Sequence, residues 1–204
     1  SNFSWTIGTI TGGITGATAG SGSTINQVLI NPSNSTAGTV QYIVKPTSTT
    51  GSCAGANYTI TVTVNPKPVG SASPQTICSG STSSVALNST ASGTTFTWTN
   101  PTIITTPTGG TITGFSNCAS ACGTTIAQTL TNTGTTNGVI RYTVTPTANG
   151  CTGSTFTVDV TVTPQPTTSI AGPTQTICLT TPSTTLSANL PTVGTGTWSI
   201  VSGP

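Results

Sequence analysis

Few side chains in this 204-residue chain could carry chemistry: six cysteines, one acidic residue, three basic residues and no histidine. The cysteines are Cys53, Cys78, Cys118, Cys122, Cys151 and Cys178, and the charged residues are Lys45, Lys67, Arg141 and Asp159. Without His, neither a Ser-His-Asp nor a Cys-His set can be assembled. A glycosidase needs two carboxyl groups, and calcium needs several carboxylate oxygens. A single Asp satisfies neither. Cys118-Ala-Ser-Ala-Cys122 could be half of a zinc site, but zinc takes four ligands, and no His or second nearby Cys pair completes the set. A small loop disulfide is the simpler reading. An isopeptide crosslink needs a Lys, an Asn or Asp partner and a catalytic acid, and no Lys lies between residues 69 and 166. Gly109-Gly110 follows no strand-to-helix pattern, so it reads as a turn and not as a phosphate loop. The residues therefore predict no catalytic group, no metal site and no cofactor.

Only 2% of the residues are charged, against a usual quarter. Thr, Ser, Asn and Gln must supply the polar surface. The net charge of +2 is scattered, with no basic patch for nucleic acid. No apolar run approaches the roughly 20 residues of a membrane span. Gly and Pro are frequent but lack the period of collagen. In so unreactive a chain six cysteines predict a disulfide framework, and hence an oxidising, extracytoplasmic compartment. Asn34-Ser-Thr, Asn57-Tyr-Thr and Asn88-Ser-Thr match the N-glycosylation pattern, which arises often by chance in a Thr/Asn-rich chain.

Internal repetition organises the chain. Tyr58-Thr-Ile-Thr-Val-Thr-Val-Asn-Pro66 returns as Phe156-Thr-Val-Asp-Val-Thr-Val-Thr-Pro164, and Cys53 returns as Cys151, both at an offset of 98. Gln75-Thr-Ile-Cys78 returns as Gln175-Thr-Ile-Cys178, Tyr42 as Tyr142 and Trp98 as Trp198, each at an offset of 100. Phe3 and Trp5 return as Phe96 and Trp98. The Pro-rich links Asn65-Pro-Lys-Pro68 and Thr163-Pro-Gln-Pro166 mark module boundaries, since Pro stiffens a link and ends a strand. Residues 69–166 then form one complete module, residues 1–68 the C-terminal part of a preceding one and residues 167–204 the start of a following one. That register predicts a parent protein longer at both ends.

Within the complete module, short strands are expected near 75–79, 84–89, 95–99, 111–115, 125–131, 138–147 and 154–163. Seven short strands in about 100 residues predict an all-β antiparallel sandwich. Ile140, Tyr142 and Val144 alternate with Arg141, Thr143 and Thr145; Phe156, Val158, Val160 and Val162 alternate with Thr157, Asp159 and Thr161. One face is core and the other a Thr-covered surface. A hairpin centred on Gly150 sets Arg141 opposite Asp159. The equivalent positions of the first module, Gln41 and Thr61, are both neutral, so the two charges come and go together as an ion pair would. For the cysteines, the repeat register makes Cys78–Cys151 the expected bridge, closing a loop of about 70 residues worth roughly 4 kcal/mol. Cys118 is expected to pair with Cys122, leaving Cys53 and Cys178 without partners in the two incomplete modules.

Several segments carry a family likeness. Thr97-Trp98-Thr99, Ile112-Thr-Gly-Phe-Ser116, Ile126-Ala-Gln-Thr-Leu-Thr-Asn-Thr133 and Arg141-Tyr-Thr-Val-Thr-Pro-Thr-Ala-Asn-Gly-Cys151 together resemble PKD-like repeats of very long Bacteroidota surface proteins. Those proteins resemble gliding-motility adhesins and are typically exported by the type IX secretion system. The resemblance implies an Ig-like sandwich, a bacterial cell-surface location and a spacer or adhesive role. Its expected partners are neighbouring modules, surface polysaccharide or other cell-surface proteins. The Trp98 strand lacks the acidic Trp-Asp-x-Gly-Asp-Gly type segment of standard PKD domains, so no ligand site is carried over. Two other roles fit the same residues: a spacer module of a secreted multidomain enzyme, and a self-assembling extracellular fibre.

Overall fold

Val, Ile, Thr and Tyr dominate the alternating segments, and such residues suit the pleated, half-buried surface of a sheet. The computed structural model describes residues 2–120, 122–178, 180 and 183–200, and every regular element among them is a strand. Among the described residues no helix is long and apolar enough to cross a membrane.

In the first module β1 (Asn2–Ile10), β2 (Gly20–Ser21), β3 (Gly38–Thr47) and β4 (Tyr58–Val64) form one antiparallel sheet in the order β2-β1-β3-β4. The complete module contains β5 (Gly70–Ala72), β6 (Gln75–Cys78), β7 (Val85–Ser89), β8 (Thr95–Thr105), β9 (Ile112–Thr113), β10 (Thr125–Ile126), β11 (Thr131–Asn132), β12 (Gly138–Ala148), β13 (Cys151–Thr152) and β14 (Phe156–Thr163). One layer runs β13-β12-β14-β6, with β8 also paired to β12. The facing layer is made of β10-β7-β5 and the short β9-β11 pair. Between them lie Phe96, Trp98, Ile140, Tyr142, Val158 and Val160 from the first layer, and Val85, Leu87, Ile112, Ile126 and Leu130 from the second. Alternation along β12 and β14 puts one face of each strand in this core, as the pleat requires.

Three features depart from the sequence expectation. The strand expected over 125–131 is two strands, because the chain changes partner: β10 pairs with β7 and β11 with β9. Between them Gln128 N donates to Ser83 Oγ at 3.0 Å. Secondly, β6 runs parallel to β14, from Val160↔Gln75 to Thr163↔Cys78. Thirdly, β5 extends the second layer from the link itself.

That link is packed. Pro66 and Pro68 are buried, and Val69 forms a parallel bridge with Ser154. A Cβ on Gly153 would lie 2.0 Å from the Pro68 carbonyl oxygen, so only glycine admits the link here. Across the junction Asn65 Nδ2 donates to Asn149 O at 3.1 Å, and Thr90 Oγ1 donates to Asn34 O at 2.6 Å.

Candidate functional site

Buried polar groups need partners, and each module answers that need with the same device. In the complete module Trp98 Nε1 donates to Ser116 O at 3.2 Å, and Gln128 Nε2 donates to the same oxygen at 2.8 Å. Gln128 Oε1 accepts from Ser116 N at 3.1 Å and from the Tyr142 hydroxyl at 2.8 Å. The first module repeats it. Trp5 Nε1 and Gln27 Nε2 both donate to Thr18 O, and Gln27 Oε1 accepts from Thr18 N and the Tyr42 hydroxyl. Burial pushes both phenols above their ordinary value, Tyr142 the more strongly, so the network is neutral. It fixes the ring orientations of the core and offers no proton near neutrality.

A second repeated device pins the loop before β12. Asn132 Nδ2 donates to Thr136 O at 2.9 Å and Val162 O at 2.8 Å, while its Oδ1 accepts from Gly134 N at 2.8 Å. Asn31 does the same toward Thr36 O, Val64 O and Ser33 N. Neither Gln nor Asn was singled out as a site from sequence. The signal was present, since Ile25-Asn-Gln-Val-Leu-Ile-Asn31 and Ile126-Ala-Gln-Thr-Leu-Thr-Asn132 share four residues at an offset of 101.

Arg141 lies directly opposite Asp159 across β12 and β14. Nε donates to Oδ1 at 2.7 Å and Nη2 to Oδ2 at 2.8 Å, a bidentate pair on the face away from the core. These hydrogen bonds from Arg141 hold the Asp159 carboxyl below the usual carboxylate value, and the same pairing raises Arg141. A carboxyl lowered on folding stabilises the protein above its unfolded value near 4, and that contribution is lost as pH falls through the folded value. Asp159 is the one acidic side chain in the sequence, so it alone reports this effect. Urea midpoints measured from about pH 6 to about pH 2 are expected to fall slightly for the native sequence. For Asp159→Asn they should stay level, and a fall of equal size would refute the assignment.

The cysteines divide into one pair and four free thiols. Cys118 and Cys122 are joined, with Cα atoms 5.7 Å apart, beside Trp98. The expected Cys78–Cys151 bridge does not exist: both are free thiols, as are Cys53 and Cys178. Cys78 sits beside Thr163 at one end of β14, whereas Cys151 follows the β12 hairpin at the Phe156 end. Seven residue steps of strand separate those ends, roughly 24 Å. A disulfide needs Cα atoms within about 7 Å. Repeat register identified equivalent cysteines but not the end of the sheet each occupies. Among the described residues no group of three or more His, Cys, Asp or Glu side chains comes together.

An apolar groove of about 500 Å³ lies on the first module, lined by Phe3, Trp5, Leu29, Val44, Ile60 and Val62. Its residues repeat core positions of the complete module. Ile60 is 40% exposed where the equivalent Val158 is 3% exposed, and Phe3 is 40% exposed where Phe96 is 2% exposed. The complete module covers that face with Ile77, Val85 and Leu87 from β6 and β7; the first module's core cluster has no counterpart of them.

Two modules built on one plan, one a complete sandwich and one a partial module, each with a Trp-Gln-Tyr network and an Asn pin, define a repeated domain. The chain matches the PKD-like domain family over residues 1–68 and 75–166. It belongs to that family. No curated protein and no solved structure matches it significantly. PKD-like domains are typically extracellular structural modules. In this PKD-like chain the most regular features, the alternating strands, networks and turns, all serve the fold. The ion pair and the Cys118–Cys122 loop are the features that vary between modules.

Proposed function

We propose that the chain is a structural and adhesive repeat segment of a long secreted bacterial cell-surface protein, an adhesin or surface filament that contributes to gliding motility and leaves the cell by type IX secretion. The observation that supports this reading most is where each module is entered and left. The first module meets the complete one at Asn149 and Thr90, near the Phe156 end of β14. The onward link leaves after Thr163, at the opposite end, where Gln165 Nε2 donates to Ser79 O at 3.2 Å. Entry and exit at opposite ends make the modules a series. The buried Pro66 and Pro68 stiffen the junction, and the Thr-covered faces repeat along the series. Linked weak sites raise effective concentration without a strong site in any one module, which suits contact with surface polysaccharide or other surface proteins. With no His and one acidic side chain, we expect no hydrolase, transferase or redox activity and no metal requirement.

Small-angle scattering or electron microscopy of several consecutive modules tests the reading. The expected particle is a rod with a rise of roughly 35–45 Å per module, the length of ten to thirteen extended residues. A compact particle with modules folded back on one another would overturn the spacer role.

A further inference from the structure

The complete module is entered along one edge of its first layer and left along the strand beside it. Val69 forms a parallel bridge with Ser154, and Gln75–Cys78 runs parallel to Val160–Thr163. Both pairings hold one register, with partners 85 residues apart in the chain. Residues 69–78 therefore run beside residues 154–163 in the same direction. The register survives although Gly70–Ala72 leaves in between to pair with β7 in the facing layer.

Direction decides how a stretching force acts. Tension along the series pulls residue 69 outward at the entry end and residue 166 outward at the exit end. β6 is then drawn toward the entry while β14 is drawn toward the exit. Two parallel neighbours pulled in opposite senses must slide along each other. Their hydrogen bonds, evenly spaced along a parallel pair, are strained together. A terminal antiparallel hairpin, pulled at its two adjacent ends, would instead open one bond at a time. The exit end adds bonds across the same seam. Ser79 N donates to Thr163 O at 2.8 Å, Thr163 Oγ1 to Ile77 O at 3.2 Å and Gln165 Nε2 to Ser79 O at 3.2 Å. Ile77 and its partner Val162 are buried, so water has little access to replace a strained bond. By contrast β5 holds the facing layer through Gly70, Ser71 and Ala72, which offer little apolar area.

We propose that β6 and β14 form a mechanical clamp. The module resists stretching along the series through this parallel seam; β5 yields first, and the seam is the main barrier to unfolding under force. The inference goes beyond the spacer reading and rests on the topology of one module. A rod that failed the pulling test would remain a spacer without a clamp, and a compact particle would leave the clamp untouched.

Optical-tweezer pulling on the full chain in two geometries tests it. In both, Cys53, Cys151 and Cys178 are replaced by Ser and the Cys118–Cys122 bond is kept. In the first geometry, handles on Lys67→Cys and Thr168→Cys pull across the whole module, with Cys78→Ser. In the second, handles on the native Cys78 thiol and on Thr168→Cys pull the seam from the end where both strands finish. All three handle positions are exposed, and circular dichroism with urea melts establishes that each variant is folded. The first geometry should show a small early extension as β5 releases, then one main rupture that frees roughly 300 Å of chain at about 3.5 Å per residue. At equal loading rate its rupture force should exceed that of the second geometry about twofold or more, because several bonds share the load and forced unfolding follows the unfolding barrier. Thr163→Val together with Gln165→Ala removes two bonds across the seam and should lower the force in the first geometry. Equal forces in the two geometries, or a first-geometry force that the paired substitution leaves unchanged, would overturn the clamp.

Discussion

Replacing Asn132 by alanine is expected to lower the stability of the complete module by about 3–5 kcal/mol, enough to shift its thermal midpoint by more than about 10 °C. The side chain is buried and serves three backbone groups at once: the carbonyls of Thr136 and Val162 and the amide of Gly134. Alanine leaves all three without their partner, and the Val162 carbonyl lies in the core layer beside β6. Each unsatisfied buried group costs about 1–3 kcal/mol. The first module supplies the control. Asn31 makes the same bonds from a half-exposed position, where water can replace them, so Asn31→Ala should cost only about 1 kcal/mol. Differential scanning calorimetry of the two variants checks the contrast. Equal losses would mean that burial is not the source of the effect.

Gly114→Ala is expected to be the other severe change, at about 2–5 kcal/mol. Gly114 has φ of +92°, where a side chain is strained in any surroundings. A Cβ there would also fall 2.0 Å from the carbonyl oxygen of Thr129. That oxygen cannot retreat cheaply. Thr129 bridges Thr82, and its neighbour Leu130 is fully buried and bonded on both sides, through Leu130 N to Ser81 O and Gly80 N to Leu130 O. The first module has the same constraint, with Gly16 at φ of +94° and its Cβ position 2.0 Å from Val28 O. Urea unfolding monitored by Trp98 fluorescence reads the loss. Gly114→Ala with a midpoint within error of the native chain would refute the close approach.

The repeat was legible because homologous modules recur within one chain, and equivalent positions annotate each other. The faces of β12 and β14 were legible because strand alternation has a period of two, and a hairpin of known turn position sets the register. Alternation and turn position alone therefore set Arg141 opposite Asp159. The strand over 125–131 was legible only in part. Its apolar Ile126 and Leu130 mark a buried segment, but no residue type announces that the chain leaves one ladder for another between them. Gln128 and Asn132 are ordinary surface residues by composition. What makes them structural is the set of backbone groups they meet, supplied by Ser116, Val162 and Thr136 from elsewhere in the sequence.

Sequence by itself determined the all-β class, the module length, the core face of each long strand and the poverty of chemical groups. Those properties depend on local periodicity and composition, which need no knowledge of distant neighbours. Tertiary structure alone decided the rest. It placed Cys78 and Cys151 at opposite ends of a sheet and ran β6 parallel to β14. The physical reason is that pairing direction and sheet order are set by long-range hydrogen bonding and burial. Two segments of like pattern present the same alternation whichever end of a neighbouring strand they meet.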